Sequence, residues 1–218
     1  MNLADQAIGS YSGLTLSERF YLWVRSRSCP LERVCAEVPA SGRILDIGAG
    51  SGLLARMLAA SAPQRLVLAI DPDPRKIQFA RKGSPIANLI LEHRDPARPM
   101  LGESFDCILL VDVLYLLPPS EQRSLLEAAA RSLLAGGRII VKTMDTRKRA
   151  KITWDRAQEY TSIRLIGLTK GLGTFHVAPD VMRGWLEGCG LAVREIPIDR
   201  GFVHPHLLFI GQHPVAVG

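Results

Sequence analysis

The stretch "RILDIGAGSGLLARML" (residues 43–58) sets Asp46 two residues ahead of three alternating glycines, Gly48, Gly50 and Gly52. Glycine lets the backbone approach a ligand where a Cβ would collide. The helix that follows such a turn begins with N–H groups that can face an anion. Phosphate, dinucleotide and nucleoside sites all ask for a turn of this general kind. A phosphate loop needs a lysine after its last glycine, and Leu53 follows Gly52. A dinucleotide fingerprint needs its third glycine at position 53, where the same leucine stands. Asp46 would repel a pyrophosphate and attract a cation. A turn suited to a cationic nucleoside remains.

The elements around this turn place further groups beside it. "RILDI" (43–47), "RLVLAID" (65–71), "NLILEH" (88–93), "FDCILLVD" (105–112) and "RIIVKTM" (138–144) read as strands, nearly continuous in apolar residues. Helices alternate with them. Residues 52–61 carry Leu53, Leu54, Met57 and Leu58 on one face, and "RKIQFARK" is a short helix after Pro72 and Pro74. A helix capped at Ser120 places Leu125, Leu126, Ala129, Ala130, Leu133 and Leu134 on one face and stops at Gly136 and Gly137. Residues 147–175 read as an amphipathic helix and a glycine-rich loop, and a further helix starts near Pro179. "LAVREIPI" and "HLLFIGQ", joined by a short link, read as an antiparallel hairpin at the sheet edge. "LTLSERFYLWVRSRS" is a helix, Pro30 starts a short second one, and residues 1–40 form a cap over the sheet. The fold class is α/β: a doubly wound, mostly parallel, seven-stranded sheet with an antiparallel last strand. Its ligands belong outside the carboxyl ends of the strands. Asp46, Asp71, His93 to Asp95, and Asp112 all stand there.

These residues together resemble the class I S-adenosylmethionine-dependent methyltransferases. "LDIGAGSG" is similar to their first motif, and Asp71 in "LAIDPDP" to the acid ending their second strand. Asp95 in "EHRDP" falls where the family places an adenine-contacting acid. "FDCILLVDVLYLL" and "LLAGGRIIV" are similar to the fourth-strand motif and to the approach to the fifth strand. The resemblance covers roughly residues 40–215 and implies S-adenosylmethionine as cofactor, held by Asp46, Gly48, Gly50, Gly52, Asp71, Pro72, Asp95 and Asp112. It implies one domain over 1–218, with a cofactor-binding half at 41–145 and a substrate-side half at 146–218. Asp46 would take the ammonium, Asp71 the ribose hydroxyls and Asp95 the adenine amino group. Two structural alternatives stay open: Asp95 as a cap for the turn at Pro96, and Asp112 as a cap for the segment after it.

Methyl transfer to a nucleophile is an in-line displacement, so positioning and exclusion of water carry most of the catalysis. A phenol, enol or protonated amine also needs a base. His176, His204 and His206 are the candidates, because the link carrying the last two lies on the cofactor side of the sheet; each also suits a turn or edge position. The fourth-strand segment D-V-L-Y lacks the [ND]-P-P-[YFW] sequence used on base amino groups, which disfavours adenine and cytosine as acceptors and leaves other RNA sites open. Phe20, Tyr21, Trp23, Arg25 and Arg27, with Arg147, Lys148, Arg149, Lys151, Trp154 and Tyr160, mix aromatic and basic character on the substrate side. They suit either an apolar, lipid-like or carrier-tethered acceptor beside an anionic group, or a solvated basic face.

Composition bounds these readings without choosing among them. The 218 residues are 47% hydrophobic and 22% charged, as expected of one globular α/β domain. The net charge of +6, clustered at 145–151, permits RNA, anionic membrane or acidic metabolite partners. The most apolar run is interrupted by Asp112 and falls short of the ~20 residues of a membrane span. No signal peptide is evident, and four scattered cysteines suit reduced thiols in the cytoplasm with no metal site. The expectation is methyl transfer to a small organic or lipid-like acceptor, most naturally at oxygen. The alternatives are an RNA or protein methyltransferase and a non-catalytic binding domain of the same fold.

Overall fold

The computed structural model describes residues 2–96, 103–148 and 174–214. Three helices come first: α1 (Leu3–Gly9), α2 (Leu16–Ser28) and α3 (Leu31–Glu37). An alternating series follows: β1 (Gly42–Ile47), α4 (Leu53–Ser61), β2 (Arg65–Asp71), α5 (Pro74–Ala80), β3 (Leu89–His93), β4 (Phe105–Val111), α6 (Pro119–Arg131) and β5 (Leu133–Met144). The chain closes with α7 (Pro179–Gly188), β6 (Ala192–Pro197) and β7 (His206–Gln212). The seven strands are ordered β3-β2-β1-β4-β5-β7-β6. β1 to β5 pair in parallel, while β7 runs antiparallel between β5 and β6.

The sheet is covered on both faces, which is why its central strands are mainly apolar, while β3 and β6 at its two edges carry charged residues. Ile44 of β1 and Leu208 and Ile210 of β7 face one core with α1 to α4. Leu45, Ile47, Leu207 and Phe209 face the other, with Leu125, Leu126 and Ala129 of α6 and Met182 and Leu186 of α7. The strand period of two divides these residues between the faces.

The structure corrects several boundaries. Helix α1 precedes the cap helix expected at "LTLSERFYLWVRSRS" and packs on α4 and α2. Helix α6 begins at Pro119, one residue before Ser120, because a proline at the first helical position gives up an N–H that lacks an intrahelical partner anyway. It also ends at Arg131, so Leu133 and Leu134 belong to β5 and not to the helix. Leu133 pairs with Phe105, the register then jumps to Cys107 and Arg138, and Gly136 makes the bend at φ +74°. β4 stops at Val111, and Asp112 follows in the left-handed region at φ 57°. Most of the helix and loop expected at 147–175 lies outside the described residues.

The β5 irregularity presses Gly137 against backbone. A Cβ there would stand 2.8 Å from the Leu134 carbonyl oxygen and 3.1 Å from that of Phe105. Gly137→Ala is therefore expected to lower stability by about 1–3 kcal/mol, as overpacking does. An unchanged urea midpoint would show that this register shift yields without cost.

Candidate functional site

The glycine turn is fixed against the end of β2. The N–H groups of Gly48 and Ala49 donate to the Ile70 carbonyl at 2.8 and 3.0 Å. Gly50 N–H donates to Asp71 Oδ2 at 2.9 Å, while Asp71 Oδ1 accepts from Asp73 N–H at 2.9 Å. Each Asp71 oxygen keeps a second acceptor direction for a ligand. Gly48 holds φ +74°, and a Cβ on it would stand 2.6 Å from Val113 Cγ2. Tyr11 supports the turn from the N-terminal segment, its hydroxyl donating to the Ser51 carbonyl at 2.7 Å.

Asp46 is buried at the end of β1, and its Oδ2 has no hydrogen-bond partner. Burial raises its pKa to about 7; nearby Arg25 works against that shift and Asp71 adds to it. A buried acceptor left open at the mouth of a cleft is what a cationic ligand group requires. The cleft is lined by Asp46, Gly48, Ala49 and Val111 from the sheet side and by Arg25 and Leu31 from the cap.

Asp112 is a junction and not a cap for the segment after it. Its Oδ1 accepts from Lys142 Nζ at 2.5 Å, and its Oδ2 from Arg25 Nη1 at 2.9 Å and from Cys29 Sγ at 3.4 Å. The Lys142 side chain is 2% exposed and that of Asp112 8%. Burial alone would raise the Asp112 pKa, but Lys142 and then Arg25 hold it well below the usual carboxylate range. Burial pushes the neighbouring Cys29 thiol up, so it stays protonated.

The histidines fall into two groups at the same sheet edge. His206 starts β7 opposite Met144, buried, with Nε2 2.8 Å from the Ser28 carbonyl and Nδ1 without a partner. Burial, and then Lys142, lower its pKa to about 3, so it stays neutral at physiological pH. His204 is half-buried, its ring 5.8 Å from that of His206. His176 is exposed and stacks on Tyr115 just past β4, with ring centroids 5.0 Å apart. Phe175 N–H donates to the Tyr115 carbonyl at 2.7 Å, and Gln122 Nε2 to the Phe175 carbonyl at 2.7 Å, which fixes that approach.

The other expected contacts are peripheral. Pro72 is exposed at the β2 end, its carbonyl 3.0 Å from His93 Nε2. Asp95 is exposed two residues beyond β3. Among the described residues no cluster has the makings of a metal site. Sequence reasoning missed Tyr11 and Lys142. Tyr11 belongs to no motif; Lys142 could have been found as a lone charge inside an apolar strand, which needs a buried partner.

The Methyltransferase domain family matches residues 44–137. A ubiquinone biosynthesis O-methyltransferase of Xylella fastidiosa (strain 9a5c) is 31% identical over 173 residues, 76% of this chain and 68% of the relative. The chain belongs to the class I S-adenosylmethionine-dependent methyltransferases. The enzyme of the same description from Xanthomonas axonopodis pv. citri (strain 306) is 30% identical over 176 residues, 76% of this methyltransferase and 70% of the relative. Solved structures agree on the fold. Magnesium protoporphyrin IX methyltransferase from Synechocystis PCC 6803, with bound S-adenosylhomocysteine, gives a TM-score of 0.66 at 17% identity, covering 97% of this chain and 93% of that one. An O-methyltransferase family protein from Burkholderia thailandensis gives 0.65 at 20% identity, over 92% of this methyltransferase. The chain spans only 61% of that longer protein. The cofactor of this methyltransferase is S-adenosylmethionine.

The raised Asp46 pKa has a thermodynamic consequence for the ligand-free methyltransferase. A carboxyl whose folded pKa lies above its unfolded one contributes stability that is complete at low pH and lost as pH rises through the folded value. Stability should therefore fall by a few kcal/mol from about pH 4 to about pH 8 on account of this one group. In Asp46→Asn that component should vanish, leaving the variant the more stable at pH 8. Urea midpoints measured across this range check it, and superimposable pH profiles of the two proteins would refute it.

Proposed function

We propose that the enzyme methylates a hydroxyl oxygen of a small, apolar organic acceptor. The observation that carries this reading is the similarity to relatives named ubiquinone biosynthesis O-methyltransferase at about the 30% level. In it residues 1–218 work as one domain.

In this reading the partnerless Oδ2 of Asp46 takes the cofactor's ammonium, and the backbone at Gly48, Gly50 and Gly52 lies against its amino-acid end. Asp71 offers its remaining acceptor directions to the ribose hydroxyls, with Pro72 beside them. Asp95 serves the adenine amino group. Asp112 acts at one remove, by holding Arg25 and hence the cap wall of the cleft. Bound S-adenosylmethionine supplies a methyl carbon activated for in-line displacement by its sulfonium. The chain's own tasks are to orient the acceptor, keep water out and receive a proton.

Of the three histidines, His176 suits the proton best. His206 has its pKa driven down to about 3 and one ring nitrogen on a carbonyl, so it is a weak base that shapes the edge. His176 is exposed and held flat on Tyr115, where a ring nitrogen can take the hydroxyl proton as the oxygen attacks. His204 supports His206. The reading as an RNA methyltransferase draws less support: Arg147 pairs with Asp145 at 2.8 Å and Lys148 with Asp199 at 2.7 Å, so two cations of the basic run are answered within the chain.

Two measurements test this. Calorimetric titration with S-adenosylmethionine and its demethylated product should show Asp71→Ala weakened by about 2–4 kcal/mol, the worth of one or two charge-assisted hydrogen bonds. Unchanged affinity would remove Asp71 from the site. With a phenol carrying an apolar tail as acceptor, His176→Ala should cut kcat by roughly 10²–10⁴ and flatten the acid limb of its pH profile. A full rate with an intact profile would reject His176 as the base.

A further inference from the structure

Helix α6 carries a polar side chain where its apolar stripe has room for another leucine. Its buried residues are Gln122, Leu125, Leu126, Ala129 and Ala130, spaced as one helical face. Gln122 is 1% exposed, and an amide so placed costs stability unless its hydrogens are answered. Both are: Nε2 donates to the Leu117 carbonyl at 2.8 Å and to the Phe175 carbonyl at 2.7 Å. Carbonyl oxygens only accept, so the nitrogen of the amide and not its oxygen must face them. One of these carbonyls stands just past β4 and the other just before α7, so the side chain ties two distant stretches together. Phe175 N–H closes the same contact by donating to the Tyr115 carbonyl at 2.7 Å. His176 comes next in the chain, its ring 5.0 Å from that of Tyr115 and 25° from parallel.

We propose that Gln122 is a positioning residue of the methyl transfer: through the Phe175 carbonyl it seats the His176 ring on Tyr115, beside the acceptor's hydroxyl. The inference rests on the reading of His176 as the base. Attachment of α7 does not call for Gln122, because Met182 and Leu186 of that helix are buried in the core on their own account. An apolar residue at 122 would continue the stripe and spare the core a polar group. What the amide adds is the place of residues 175 and 176. A base must bring its nitrogen within about 3 Å of the proton it takes, and a displacement of ~1 Å can cost ~10² in rate. Glutamine suits the task chemically. Glutamate would set carboxylate oxygens against two carbonyl oxygens, and methionine has the same length with no donor. Gln122 itself stays away from the reacting atoms; its effect passes through one backbone carbonyl.

Gln122→Met, which removes both donors and keeps the length, tests it. In the unsubstituted protein the His176 Hε1 proton, assigned by its disappearance in His176→Ala, should lie in the ring current of Tyr115. In Gln122→Met it should move to the position of an open histidine. Titration with S-adenosylmethionine should be the same in both proteins, which certifies that the variant folds. With the phenol carrying an apolar tail, Gln122→Met should lower kcat about 10- to 100-fold, leave KM near its native value and flatten the acid limb of the pH profile. In a His176→Ala background it should lower kcat no further, since the two residues act as one unit. Amide exchange in the unsubstituted protein adds a check that needs no variant: Phe175 N–H should be protected. An unmoved His176 resonance, exchange of Phe175 N–H at the rate of an open chain, or an equal further loss in the His176→Ala background would each overturn the inference. So would an unchanged kcat in Gln122→Met where His176→Ala loses its activity. A full rate in His176→Ala would instead remove His176 as the base, while a resonance moved by Gln122→Met would still show what seats its ring.

Discussion

The ion-pair junction at Asp112 sets how the cap meets the sheet. A buried carboxylate is tolerated only when its charge is answered, and here one cation comes from the neighbouring strand and another from the cap helix. Lys142 keeps the carboxylate ionised, and the ionised carboxylate holds Arg25. Asp112 also sits in a backbone region that side chains rarely adopt, a strain that its three partners over-determine. Removing either cation would leave the buried carboxylate with half its charge compensation lost, so the junction behaves as a unit. The Cys29 thiol and the Ser28 carbonyl complete it, joining Asp112 to His206 across the β4, β5 and β7 ends.

The cofactor side was largely legible in the sequence because its signals are local. Asp46 and the glycines lie within seven residues, Asp71 ends an uninterrupted apolar run, and the strands announce their own termini. Boundaries slipped where two local preferences competed. Leu133 and Leu134 continue the helical spacing of α6, yet Phe105 recruits Leu133 into the sheet, and pairing to an existing strand wins over one more helical turn. Residues 2–10 offered no periodicity long enough to mark α1, which is held by its packing on α4.

The acceptor side was less legible, since its groups meet only through tertiary contact. Nothing in the order of residues says that Tyr11 reaches Ser51, that Arg25 reaches Asp112, or that His176 lies on Tyr115. Helical spacing could have separated Arg25 from Arg27, which differ by two positions and so face different ways. Burial separates the histidines similarly: His206 and His176 are alike in sequence, but one is surrounded by apolar groups and a lysine, and the other is open to solvent.

The cleft beside Asp46 borrows Arg25 and Leu31 from the cap, so part of its wall is not built on the sheet. Occupancy and cap position are therefore linked, and the linkage is reciprocal: whatever steadies α2 tightens the bound nucleoside, and the bound nucleoside steadies α2 in return.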